Sequence, residues 1–175
     1  MLALTKRTEY ALIALHYMIE QGAISDDGSP GKLTPVSARE IAERYGVPLP
    51  LLMNILKKLA AEHVLLSVRG AKGGYVLSRN PRHMSLSQMI EAVEGPVQMV
   101  ECACEDAAEA DATAADEELI ATFKCKLSHS CPIKRPLQIL HAKLTEFLKD
   151  TSVYDVCSYK DEWPMPKLRK AVVAS

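Results

Sequence analysis

The segment from Ser37 to Arg79 constrains the fold more than any other part of the chain. In SAREIAERYG, Ser37 and Glu40 have the spacing of a capping box, in which each side chain satisfies a free backbone N–H near the other. Ile41, Ala42 and Tyr45 fall on one helical face, and Gly46 is a natural stop. A second helix is expected to start near Pro50. Leu52, Ile55, Leu56 and Leu59 form its core stripe, and Met53, Asn54, Lys57 and Lys58 its outer face. Two short helices joined by GVPLP make a helix-turn-helix pattern. Two strand-like runs follow, Leu65 to Val68 and Tyr75 to Leu77. A two-residue turn would close such a hairpin with less exposed backbone. Here the connection carries Arg69, Lys72 and three glycines, Gly70, Gly73 and Gly74.

Charge gives that long loop a purpose. The net charge of −1 hides two opposed regions. Lys57 to Arg82 holds six Lys or Arg and one acid, Glu62, whereas Glu101 to Glu118 holds eight acids and no base. Only the basic region can neutralise phosphates. A helix-turn-helix followed by a basic hairpin is the winged-helix plan, in which the second helix of the pair enters the major groove. The wing would lie along the DNA backbone or in the minor groove, where arginine suits a narrow groove. Its glycines would let the backbone approach phosphate closely. The candidate DNA-contacting residues are Ser37, Arg39, Leu51, Asn54, Lys57, Lys58, Arg69, Lys72, Gly73 and Gly74.

The rest of the chain fits a mainly α fold with one small β-hairpin. Thr5 to Gln21 is broadly apolar and reads as a buried first helix. SLSQMIEAVEG reads as a short helix with Ser85 as N-cap. Pro132 to Asp150 reads as a long amphipathic helix with the stripe Ile133, Leu137, Leu140, Leu144, Phe147 and Leu148. The expected organisation is a winged-helix domain over 1–95, a cysteine-containing loop with an acidic insertion over 96–131, a dimerisation helix over 132–150 and an irregular tail over 151–175. No apolar run approaches the ~20 residues of a membrane span, and the N-terminus lacks the pattern of a signal peptide. A cytoplasmic protein with no membrane partner is expected.

Four of the five cysteines fall between Cys102 and Cys131. An odd count in a cytosolic chain argues against a disulfide framework. Iron–sulphur clusters are commonly held by cysteine thiolates. Structural zinc sites use tighter spacing than the five residues between Cys125 and Cys131. Cys157 stands apart and reads as a small hydrophobe. An enzyme is not expected. No C-x-x-C pair or nucleotide-binding glycine loop is present, and His16, His63, His83, His129 and His141 share no catalytic spacing.

The stretches LTKRTEYALIAL, SAREIAERYGVPLPLLMNILKKLAAEHVLLSVRGAKGGYVLSR and LSQMIEAVEGPV resemble the winged-helix regulators of the IscR/NsrR type, the Rrf-two family. The resemblance is close over about residues 2–100 and looser from Cys125 to Leu148. It implies a homodimer on a palindromic double-stranded DNA operator, with Arg69 on DNA and the long helix crossing to the partner. It also implies an iron–sulphur cluster, [2Fe-2S] or [4Fe-4S], that senses redox state, nitric oxide or iron–sulphur status. Cys125 and Cys131 match the second and third cluster cysteines. The first corresponds to Cys102, with Cys104 as the close alternative. Lys134 stands where the IscR branch has a ligating histidine. The NsrR-like branch takes a carboxylate from the first helix of the partner, which corresponds to Glu9, with His129 as the alternative. Pro48, Pro50 and Leu51 replace the polar residues that begin the IscR recognition helix, so bidentate base contacts are lost there and apolar contact with thymine methyls remains open. The rival readings are a winged-helix regulator without iron, zinc-stabilised or metal-free, a thiol-based enzyme, and an interaction module that does not bind DNA.

Overall fold

A computed structural model describes residues 4–24, 34–70, 72–99 and 130–158. The order is α1 (Lys6–Glu20), α2 (Ala38–Tyr45), α3 (Leu49–Ala61), β1 (Leu65–Val68), β2 (Gly74–Leu77), a 3-10 turn at Pro81–His83, α4 (Leu86–Glu94), α5 (Lys134–Asp150) and α6 (Val153–Cys157). The strands pair antiparallel with Leu65 opposite Leu77 and Val68 opposite Gly74. This is a mainly helical winged-helix fold with one hairpin.

Local signals account for most helix ends. Thr5 caps α1 by accepting from the backbone N–H groups of Arg7 and Thr8. Gly46 closes α2 at φ +66°, a conformation most residues resist. Ser85 and Gln88 form a complete capping box on α4. The box expected on α2 is half made. Ser37 Oγ accepts from the Glu40 N–H at 3.1 Å, but the Glu40 carboxylate accepts from the Tyr17 hydroxyl at 2.7 Å. A tie to α1 replaces the local reciprocal bond. Tyr45, expected in the core, is 37% exposed and lies edge-on to Tyr17 with ring centres 5.8 Å apart.

The core lies where α1, α3 and α4 meet the hairpin. Leu15, Met18, Leu52, Leu56, Leu59, Leu77 and Met89 have no exposed surface. Helix α5 starts at Lys134 and is amphipathic as expected, yet none of its residues is buried. The tail departs from the irregular segment expected over 151–175. Ser152 and Asp155 form a capping box that opens α6. This helix docks back on the first domain: the Leu86 N–H donates to the Thr151 carbonyl at 2.8 Å, and the Val153 N–H to the Met84 carbonyl at 2.8 Å. Val153 and Cys157 enter the core. The prolines that suggested irregularity, Pro164 and Pro166, lie beyond residue 158, outside the described residues.

Candidate nucleic-acid interface

The outer face of α3 follows from its stripe. With Leu52, Ile55, Leu56 and Leu59 turned inward, Met53, Asn54 and Lys57 are left exposed, and Leu51 is half-buried. Pro50 in the first turn costs no hydrogen bond, because that N–H has no helical partner. On α2, Arg39 is exposed and Ser37 is half-buried as the cap. Beyond α3 the hairpin projects Arg69 and Lys72, both exposed. Asn54, Lys57, Arg69 and Lys72 are thus open to a solvent-borne polyanion.

Three expected contacts have other employment in the structure. The Lys58 ammonium donates to the Val93 carbonyl at 3.1 Å, which binds it to the end of α4. A Cβ on Gly73 would collide with the Val68 carbonyl, and one on Gly74 with the Val36 carbonyl. These two glycines therefore serve close approach inside the protein. Gly74 belongs to β2, where Tyr75 exchanges both backbone hydrogen bonds with Val36, at 2.9 and 3.0 Å. The residue just before the α2 cap is thereby stitched to the wing. Gly70 is different: its φ of +125° turns the loop, and open space surrounds it.

The expected metal ligands fall mostly outside the described residues. Cys102, Cys104, Cys125 and His129 all do, as does the acidic insertion. Cys131 is a half-buried free thiol just ahead of α5, and its carbonyl accepts from the Lys134 N–H at 3.3 Å. Glu9 lies in the first turn of α1 and pairs with Lys6 at 2.5 Å, with both side chains well exposed. The hydrogen bond that Lys6 donates to Glu9, then the Glu9 charge, holds the Lys6 ammonium above its ordinary range. An exposed pair of this kind is weak and easily exchanged. Among the described residues no group of three His, Cys, Asp or Glu gathers to hold a metal. Cys157 is buried and donates to the Leu12 carbonyl at 3.6 Å. Burial pushes its thiol up to about 12, as suits a packing residue.

Sequence reasoning missed Glu94. Its carboxylate accepts from the hydroxyls of Thr5 and Thr8 at the start of α1, the latter at 3.4 Å. A signal was present: an acid ends α4, where the helix dipole favours a cation. It also missed the contact of the Arg82 guanidinium, 3.6 Å above the Tyr154 ring, which helps seat α6.

Comparison with known proteins gives a consistent picture. The sequence profile of Rrf2, described as an iron-dependent transcriptional regulator, matches residues 4–159. ORF2 of Azotobacter vinelandii, an HTH-type transcriptional regulator, is 28% identical over 95% of this chain and 85% of its own length. The HTH-type transcriptional regulator IscR of Pectobacterium atrosepticum is 31% identical over 57% of this chain and 55% of its own. The latter match thus spans little more than half of the relative. Among solved structures, CymR, the global cysteine regulator of B. subtilis, superposes with a TM-score of 0.55 at 24% identity, covering 92% of this chain and all of the other. The T. potens IscR does so with 0.54 at 22% identity, over 90% and 87%. Within the described residues no helix is long and apolar enough to cross a membrane. With its winged-helix architecture, exposed basic wing and profile match over nearly the whole length, this chain belongs to the Rrf2 family of DNA-binding transcriptional regulators.

Proposed function

We propose that the protein is a homodimeric regulator whose affinity for a DNA operator follows the state of an iron–sulphur cluster. Asn54 and Lys57 on α3, with Arg39 and Leu51 beside them, face the major groove. Arg69 and Lys72 on the wing reach phosphates or the minor groove. Ser37 acts indirectly, by capping the helix that carries Arg39. The observation that carries the DNA reading is the exposed cationic wing, stitched through Val36 to the start of α2.

The donor set suits iron. Cys102, Cys125 and Cys131 offer three thiolates, and Glu9 of a second copy a carboxylate once it leaves Lys6. This set would hold [2Fe-2S] or [4Fe-4S], and the bound cluster supplies one-electron redox chemistry and reactivity toward nitric oxide. The chain's own part is to fix Cys131 at the head of α5 and Glu9 on α1, against the DNA-reading domain. The two relatives named IscR, and the description of the family as iron-dependent, favour this reading. The alternative is a regulator without iron, zinc-stabilised or metal-free, and the fold of CymR, whose name marks it as a cysteine regulator, supports it.

Anaerobic purification separates the two. A brown protein with visible charge-transfer absorption, and with iron and acid-labile sulphide in equal amounts, is the expected result. A colourless protein that still binds duplex DNA, with or without zinc, would replace it with the iron-free reading. Glu9→Ala tests the fourth ligand: an unchanged cluster spectrum and unchanged operator affinity would remove Glu9 from the set.

A further inference from the structure

With its core stripe turned inward, α3 presents an outward strip of Pro50, Met53, Asn54 and Lys57, all exposed. These positions lie three and four residues apart and so share one helix face. The strip runs about 10 Å along the helix at ~1.5 Å per residue, which matches about three base steps of ~3.4 Å. Its neighbours are engaged elsewhere. Leu51 is half-buried against the core, and the Lys58 ammonium donates to the Val93 carbonyl at 3.1 Å. The chemistry of the strip is uneven. Pro50 offers no side-chain donor or acceptor, and Met53, 40% exposed, only a weakly accepting thioether. Asn54 carries a donor and an acceptor on one planar amide, the pattern that matches N6 and N7 of adenine. From Pro50 to Asn54 there is no arginine, lysine or acid, so guanine and cytosine meet none of their usual partners there. These are also the N-terminal residues of the helix, the part with which a recognition helix meets base edges.

We propose that Met53 and Asn54 select A·T pairs in the operator half-site. The Met53 side chain packs on the C5-methyl group of a thymine, and the Asn54 amide pairs in bidentate fashion with an adenine through N6 and N7. This rests on the DNA reading proposed above. Lys57, one turn further along, and Arg39 on α2 are left for phosphate or for guanine outside that A·T step. Covering one methyl group is worth about fourfold in affinity, and a bidentate pair about fivefold or more. Neither contact touches phosphate, so neither contributes to the salt dependence of binding. Loss of a phosphate-contacting lysine does the opposite: it lowers the salt slope and weakens binding to all sequences alike.

The test uses the full chain, purified without oxygen, and a duplex recovered from a random pool by in vitro selection. The selected half-site is expected to contain adjacent A·T pairs. Thymine is then replaced by uracil, which lacks only the methyl group, and adenine by 7-deazaadenine, which lacks only the N7 acceptor, one position at a time. The parent is expected to lose about fourfold in affinity at a uracil position and about fivefold or more at a deazaadenine position, with the salt slope unchanged. Met53→Ala is expected to erase the uracil penalty and keep the deazaadenine penalty, and Asn54→Ala to do the converse. Both side chains are exposed, so circular dichroism should report the parental fold in each variant. A half-site of G·C pairs, a half-site indifferent to both base analogues, or a penalty that persists in its own variant overturns the proposal and leaves the DNA reading standing. A pool that yields no consensus, with binding that does not weaken as salt rises, overturns the DNA reading and this assignment together.

Discussion

Helices α3 and α5 carry apolar stripes at the same spacing, and among the described residues only that of α3 is covered by its own chain. In α3, Leu52, Ile55, Leu56 and Leu59 are at most 2% exposed. In α5, Ile139, Leu140 and Phe147 remain 50, 49 and 53% exposed, and no residue of the helix is buried. The difference lies in the neighbours. α3 packs on α1, α2, α4 and β1, whereas α5 rests chiefly on α4. An amphipathic pattern says that a face must be covered, but not by what. Leu140 and Phe147, two turns apart, give one side of α5 an exposed apolar strip, the kind of feature that serves as an interaction surface. In the proposed dimer a second copy covers it. Two atoms fit the same view: His141 Nδ1 and Thr145 Oγ1, one turn apart on α5, are shielded from solvent and have no hydrogen-bond partner among the described residues.

The sharpest way to break this comparison is to charge one stripe and hollow the other. Leu140→Lys combined with Phe147→Lys is expected to give monomers by sedimentation and to lower operator affinity on the order of 100-fold or more, because two linked half-sites become one. Circular dichroism should still report a folded winged-helix domain. Leu56→Ala is expected to do the reverse. It removes about 3 kcal/mol of folding stability in urea titration through the cavity it leaves, while the folded fraction stays dimeric. If the charged α5 variant stays dimeric, the stripe is not the seam.

A smaller effect is expected at the wing. Arg69→Ala should flatten the log–log salt dependence of operator binding by about 0.9 per half-site contact, with no loss of folding stability. An unchanged slope would mean that the wing does not touch phosphate.

The smallest effect concerns α6, which unlike α5 is tucked against α1. The Cys157 thiol is raised from 9.0 to about 12 by burial. Above pH 9 the unfolded chain loses this proton and the folded chain keeps it until near 12. The unfolded state then binds fewer protons, so stability falls as pH rises through that window and does not change with this group below it. Urea titrations at about pH 8 and about pH 10 should show a smaller loss for Cys157→Ala than for the parent. Equal losses would place the thiol in contact with solvent.

Much of the first domain is legible in the residues, because its signals are local. Caps such as Ser85 and Gly46 act within one turn, and the α3 stripe is read from spacing alone. What escapes such reading is set by contacts between distant segments. Glu40 deserts its capping box for Tyr17 of α1. Gly74 serves close internal packing, because Val36 comes back beside it. Lys58 looks like one more outward cation until α4 presents a carbonyl to it. Helix α6 is too short for periodicity to reveal, and its place depends on the exchange of backbone bonds with Met84 and Leu86. At the candidate site the wing cations are readable because exposure is the default for charge. The proposed metal-ligand set would join two chains, which no single-chain pattern encodes.

Native mass spectrometry of the anaerobically purified protein on a selected duplex tests the central claim most directly. The expected species holds two chains of 19.2 kDa each on one duplex, with inorganic iron and sulphide mass that is lost when the protein is oxidised or unfolded. One chain per duplex, or two chains with no inorganic mass from a preparation never exposed to air, would contradict it.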